Sequence, residues 1–228
     1  VAEQTEYRQT PYLPPAGAAE LLLVRHGASQ AARADRPFPL VGGQGDPDLA
    51  SEGREQAERV AERLGRERID AIYATTLRRT ALTAEPLARR LGLDIRVEEG
   101  LREVHLGEWE GGLLRRMVAE NHPLAQRLWT EERWDVIPGA EEHEAFRERV
   151  RASIDRLARN HAGGRVAVFT HGGVIGQALA LAAGSRPFAF VGADNCSISR
   201  VVVLDGRWSV RGFNDIAHLP HGAPAPLT

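Results

Sequence analysis

Two histidines far apart in the chain stand in the same local setting. His26 closes "LLLVRHG" (21–27) and His171 closes "VAVFTHGG" (166–173), each an apolar run of strand formers that ends in histidine followed by glycine. A short apolar run bounded by a turn signal reads as a parallel strand covered on both faces, and such strands present functional groups at their carboxyl ends. If the two strands are neighbours, the imidazoles face each other across one pocket with Arg25 beside them. "TTLRRTALTAE" (75–85) brings further cations to the same end, because Arg78 and Arg79 open a helix just after another strand. Helix amino ends attract anions, and guanidinium donors match phosphate oxygens two at a time. With backbone amides from Gly172 and Gly173, these residues make a cationic, imidazole-lined cup suited to a phosphate group.

A neutral imidazole is a competent nucleophile, and a phosphoryl group attached to it can be released to water, which divides one hard displacement into two easier ones. Neighbouring arginines disfavour a further positive charge and so keep such a histidine unprotonated. The leaving alkoxide needs a proton. "LREVHLGEWEG" (101–111) offers Glu103, Glu108 and Glu110 for that task.

The elements that must position these groups alternate. After the first strand, 31–50 is rich in glycine and proline and reads as a long loop over the strand's carboxyl end. Residues 52–64 carry Ala57, Val60, Ala61 and Leu64 on one helical face, with Ser51 placed to cap the start and Gly65 to end it. "IDAIYAT" (69–75) reads as a strand, and 79–92 reads as a helix closed by Gly92 that Pro86 should kink or break. "DIRVEE" (94–99) alternates like an edge strand. The less regular stretch that follows holds Trp109, Trp129 and Trp134 and reads as a lid at about 104–138. A long helix over 140–160, the second histidine strand, a helix from Val174 and a hairpin turning at Asp205-Gly206 complete the pattern. It predicts an α/β fold: a three-layer sandwich with a mainly parallel central sheet flanked by helices. Residues 1–18 read as an extended arm because of Pro11, Pro14 and Pro15, and 19–228 as a single domain carrying the lid.

The sequence resembles the histidine phosphatase superfamily, the phosphoglycerate mutase-like fold. The resemblance rests on "RHG" (25–27), "DPDLASEGREQA" (46–57), "TTLRRTALTAE" (75–85), "LREVHLGEWEG" (101–111) and "FTHGG" (169–173), in the family's order and spacing. It implies that His26 accepts the phosphoryl group, that Arg25 and Arg79 bind phosphate, that His171 is the second histidine touching the phosphoryl oxygens, and that Glu103 is the proton donor. Ser29 and Gly172 complete the implied phosphate site. No metal and no cofactor are implied. The chain departs from the pattern at Ala32, where many members have asparagine, and at Thr80, where alanine is common. The compact 104–138 segment favours a phosphomonoester hydrolase over a phosphoglycerate mutase-type transferase. A binding module that kept the cup but lost turnover is disfavoured by the intact set of Arg25, His26, Arg79, Glu103 and His171.

Composition bounds the rest. With 228 residues, 43% of them hydrophobic, the chain can bury a proper core. A formal net charge of -2 gives no long-range pull toward nucleic acid or anionic lipid, so the expected partner is a small-molecule phosphomonoester. Cys196 is the only cysteine, which excludes an intrachain disulfide framework or a thiolate metal cluster and suits a reducing, cytoplasmic setting. The amino-terminal stretch is polar and proline-containing, with no signal-type apolar core, and no run approaches the roughly 20 apolar residues of a spanning helix. Histidines 105, 122, 143 and 161 read as structural, and His218 and His221, flanking Pro220, as a weak metal motif. Exposed edge strands would permit a homodimer.

Overall fold

Alternate residues of a strand point to opposite faces, and in the first strand both faces are apolar: Leu21, Leu22, Leu23 and Val24 are all fully buried. The computed structural model, which describes residues 8–220, places this strand, β1 (Ala19–Arg25), inside a six-stranded sheet. A two-residue pair follows, β2 (Leu40–Val41) with β3 (Gln44–Gly45), then α1 (Ser51–Leu64), β4 (Ala71–Ala74), α2 (Arg78–Leu91) and β5 (Ile95–Val97). The second half comprises α3 (Leu113–Ala119), α4 (Pro123–Glu131), α5 (His143–Asn160), β6 (Arg165–Thr170), α6 (Gly172–Ala183), β7 (Ile198–Leu204) and β8 (Arg207–Asp215). The sheet order is β5-β4-β6-β1-β7-β8. The first four strands in that order are mutually parallel, while β7 runs antiparallel to β1, and β8 to β7.

Leu21 and Leu23 pack with Phe146, Val150 and Ile154 of α5 and Val174 and Ile175 of α6. Leu22 and Val24 pack on the other face with Val60 and Leu64 of α1 and Ala84 and Leu87 of α2. The expected three layers with a mainly parallel sheet are therefore present. Between β5 and α5, helices α3 and α4 gather a separate small cluster around Trp109, Ala125, Leu128 and Ile137. Residues 8–17 are exposed and irregular, with the Tyr12 ring beneath the Arg211 guanidinium; Ala18, the last residue of the expected arm, is buried, and residues 1–7 lie outside the described residues. Among the described residues, no helix is long and apolar enough to cross a membrane.

Several local expectations are corrected. Ser51 does not cap α1; Ala50 holds that place with no side-chain bond. The cause is a tertiary contact, since the helix start is pressed against the loop after β1: Ala50 N–H donates to Ala28 O at 2.9 Å, and Ala28 N–H to the Gln56 side chain at 2.9 Å. Pro86 does not break α2, which runs through it with Pro86 itself buried among packed neighbours. The long helix starts at His143 rather than 140, because Asp135, eight residues upstream, accepts the His143 N–H at 3.1 Å. The helix after His171 begins at Gly172 rather than Val174. Within the 31–50 loop, Gly42 and Gly43 both take positive φ and turn the short β2/β3 pair.

Candidate active site

Register brings the histidines together. Arg25 of β1 pairs with Thr170 of β6, so the next residues of the two strands, His26 and His171, stand side by side with ring centroids 5.3 Å apart. The segment before β7 clamps the first strand end from its other side. Cys196 N–H donates to Arg25 O at 2.9 Å, Asn195 Nδ2 donates to His26 O at 2.8 Å, and Arg25 Nη1 donates to Ala193 O at 2.5 Å. A cup of about 170 Å³ opens here, with Arg25, His26, Arg79, Glu103, Gln44 and Arg115 among its polar lining and Phe38, Leu106, Trp109 and Trp134 among its apolar walls.

The proton on His26 has a defined place. Its Nδ1 lies 2.8 Å from Gly27 O, and a carbonyl only accepts, so Nδ1 carries the hydrogen and Nε2 of the neutral ring keeps its lone pair. Burial, followed by the charges of Arg79 and Arg25, pushes the His26 pKa well below its ordinary value and keeps the ring neutral. Arg25 contributes a buried Nε with no hydrogen-bond partner among the described residues, a donor still to be satisfied in a wall of the cup. Arg79 donates to Gly45 O at 2.9 Å and faces His171 Nδ1 at 3.2 Å; burial pushes its pKa down to about 10. Two desolvated guanidiniums beside a neutral imidazole make the cup a strong anion site.

Glu103 lines the cup with its carboxylate held by backbone donors: Oε1 accepts Val104 N–H at 3.0 Å and Oε2 accepts Gly173 N–H at 3.2 Å. A Cβ at position 173 would sit 2.5 Å from Glu103 Oε1, so the "HGG" glycine is what lets the carboxylate approach α6. The rivals separate. Glu110 also lines the cup, but its two oxygens accept from Gly45 N at 2.7 Å and Leu106 N at 2.8 Å, and Glu108 is exposed outside it. Arg78 turns away and pairs with Asp46 at 3.0 Å.

Three residues of the sequence-based site do not line the cup. His171 is fully buried behind it, bonded to Arg79 and, at 3.0 Å, to Thr75 Oγ1. Gly172 packs under Arg25, and the Ser29 hydroxyl accepts from Arg115 Nη2 at 2.7 Å. Sequence reasoning missed Arg115, which reaches the cup from α3, also donates to Gln30 O at 2.9 Å and lies over the Phe38 ring. It missed Gln44 too, delivered by β3 and donating to Glu103 O at 2.7 Å. The Gly-Gly dipeptide before Gln44 was the available hairpin signal; nothing comparable marked Arg115. His161 bonds Tyr73, His122 accepts from Leu124 N–H, His105 accepts from Gly107 N–H, and His218 bonds Cys196 O; His221 lies outside the described residues. Among the described residues, no three His, Cys, Asp or Glu side chains group as a metal site.

Fold and cup together define an α/β protein with an arginine-lined cup at the carboxyl ends of parallel strands, beside a neutral histidine. The chain belongs to the histidine phosphatase superfamily, branch 1, whose sequence profile matches residues 21–216. It is 35% identical over 208 residues to phosphoglycerate mutase-like protein 4 of Arabidopsis thaliana, covering 88% of this chain and 87% of that one. It is 33% identical over 205 residues to a metal-independent phosphoserine phosphatase of the same plant, covering 88% and 83%. Among solved structures, a mycobacterial glucosyl-3-phosphoglycerate phosphatase superposes with a TM-score of 0.72 at 29% identity, covering 86% of this chain and 99% of that one.

Proposed function

We propose that this protein is a metal-independent phosphomonoester hydrolase working through a phosphohistidine on His26. The observation that carries the reading is the neutral His26 ring, whose Nδ1–H is spent on Gly27 O while Nε2 keeps its lone pair among Arg25, Arg79 and Arg115. In the first step Nε2 attacks phosphorus, the ester P–O bond breaks, and protonated Glu103 gives its proton to the departing alkoxide oxygen. In the second, water attacks the phosphorus of phosphohistidine, the N–P bond breaks, and Glu103 takes the water's proton. Inorganic phosphate leaves, and His26 and Glu103 regain their starting states. Arg25 and Arg79 hold the phosphoryl oxygens as charge develops on them.

The leaving alcohol carries a second anionic group, met by Arg115. That guanidinium lines the cup, and no carboxylate of the described residues stands within ion-pair distance of it; its donors go to a carbonyl and a hydroxyl. The substrates in the two relatives' names, phosphoserine and glucosyl-3-phosphoglycerate, both contain a carboxylate. The test compares phosphoserine with phosphoethanolamine, its decarboxylated twin, in wild type, His26→Ala and Arg115→Ala, all in chelator, with alkaline quenching to trap phosphohistidine. The expected result is turnover by wild type, none by His26→Ala, and a carboxylate preference of about tenfold or more that Arg115→Ala removes. Turnover in His26→Ala, or a chelator-sensitive rate, would overturn the reading.

A further inference from the structure

Behind the cup, Arg79, His171, Thr75 and Thr80 form a row of hydrogen-bonded side chains whose direction can be assigned. An arginine nitrogen only donates, so the His171 Nδ1 that faces Arg79 Nη2 at 3.2 Å presents its lone pair. The proton of the neutral ring is then on Nε2 and is donated to Thr75 Oγ1 at 3.0 Å. Thr75 Oγ1 also accepts Leu77 N–H at 3.3 Å, so its own hydrogen goes to Thr80 Oγ1 at 3.0 Å. Thr80 in turn accepts Thr75 N–H at 3.0 Å and donates to a backbone carbonyl, Leu77 O at 2.8 Å with Thr75 O beside it at 3.3 Å. The direction is set at both ends, by a guanidinium that cannot accept and a carbonyl that cannot donate. Thr75, Thr80 and His171 are buried behind the cup, so water does not offer them an alternative partner; only Arg79 also faces the cup.

We propose that Thr80 and Thr75 are positioning residues that fix His171 in its Nε2–H tautomer, so that His171 serves the ligand-free cup as the acceptor that aims Arg79. Without the Thr80 hydroxyl, the Thr75 hydrogen loses its acceptor and is free to turn toward His171 Nε2. The ring proton then moves to Nδ1, where it opposes an Arg79 N–H and pushes the guanidinium off its line. Burial and the Arg79 charge keep His171 neutral, which leaves the tautomer as the only variable. The consequence for phosphate binding rests on the proposed function; the tautomer itself does not.

The experiment is nitrogen-15 NMR of histidine-labelled wild type, Thr80→Val and Thr80→Ser, with His171 assigned by difference from His171→Gln, followed by titration with inorganic phosphate. The expected result is an Nε2–H ring at His171 in wild type and Thr80→Ser. In Thr80→Val, which keeps the branched shape, an Nδ1–H population emerges and phosphate affinity falls about tenfold. An Nδ1–H ring in wild type overturns the proposal even where Thr80→Val fails to fold. So does a Thr80→Val protein with an unchanged tautomer. A cup that binds no phosphate in any variant would sink the functional reading and leave the tautomer result standing.

Discussion

At His26, proton and charge are controlled by different neighbours. The Gly27 carbonyl places the proton, while burial and then the Arg79 and Arg25 guanidiniums set the charge. Because the shift is downward, protonation of His26 begins only well below the ordinary histidine value of about 6.5. The kcat/KM for a phosphomonoester, corrected for the second ionisation of the substrate's phosphate, is therefore expected to stay level as pH falls through that value. An acid limb centred on it would mean that the ring is not held neutral in the cup. Arg25, His26 and Arg79 could be read from the sequence because each stands at the end of a strand or the start of a periodic helix, whereas Glu103, in an irregular stretch, is singled out from Glu108 and Glu110 by the family resemblance. Arg115 could not be read, since it arrives from α3, a helix of seven residues with no fully buried position to phase it. The Ser29 hydroxyl meets Arg115 rather than the cup itself.

Among elements, the parallel pairing of β1 with β6 makes the site, and it was readable because both strands are apolar on both faces. The helix starts were less so. Asp46 accepts the Arg78 N–H at 2.9 Å and Asp135 accepts that of His143, so two helices are capped from distant points in the chain. Local cap rules see neither. The start of α1 is governed by close approach: a Cβ on Gly53 would lie 2.0 Å from Ala28 O. Alanine in a helix interior ordinarily gains about 1 kcal/mol over glycine, but overpacking against backbone costs about 1–3 kcal/mol. The clash wins. Gly53→Ala is expected to lower the urea midpoint with an unchanged m-value, corresponding to a net loss of up to about 2 kcal/mol. It should also weaken phosphate binding, because the displaced loop carries His26. A midpoint equal to or above wild type would show that the contact yields freely.

At the scale of the whole molecule, the chain's near balance of charge conceals a concentrated site. A formal net charge of -2 coexists with a pocket that gathers Arg25, Arg79 and Arg115 around the neutral His26, with the neutral His171 buried behind it. Folding must hold those histidines uncharged, and this ties global stability to pH. His26 and His171 both have folded pKa values well below their unfolded value, in each case chiefly through burial. Above about pH 6.5 both states are neutral and the histidines add no pH dependence. Below it the unfolded chain takes up protons that the folded chain refuses, so stability falls as pH drops toward the folded pKa values. The slope approaches about 1.4 kcal/mol per pH unit for each histidine. His161 and His218, shifted downward by partial burial, act in the same direction. Asp135 adds its own loss only further down, between its ordinary value and about 2, where Arg133 no longer finds a carboxylate. Urea titrations at about pH 7.5 and about pH 5.5 should therefore give a lower midpoint at the acid value. Saturating inorganic phosphate should raise both midpoints, since a ligand that binds only the folded state adds about 2.7 kcal/mol at 100 times its Kd. Equal midpoints at the two pH values would mean that the histidines charge inside the fold as they do in water, and that the cup is wet rather than sealed.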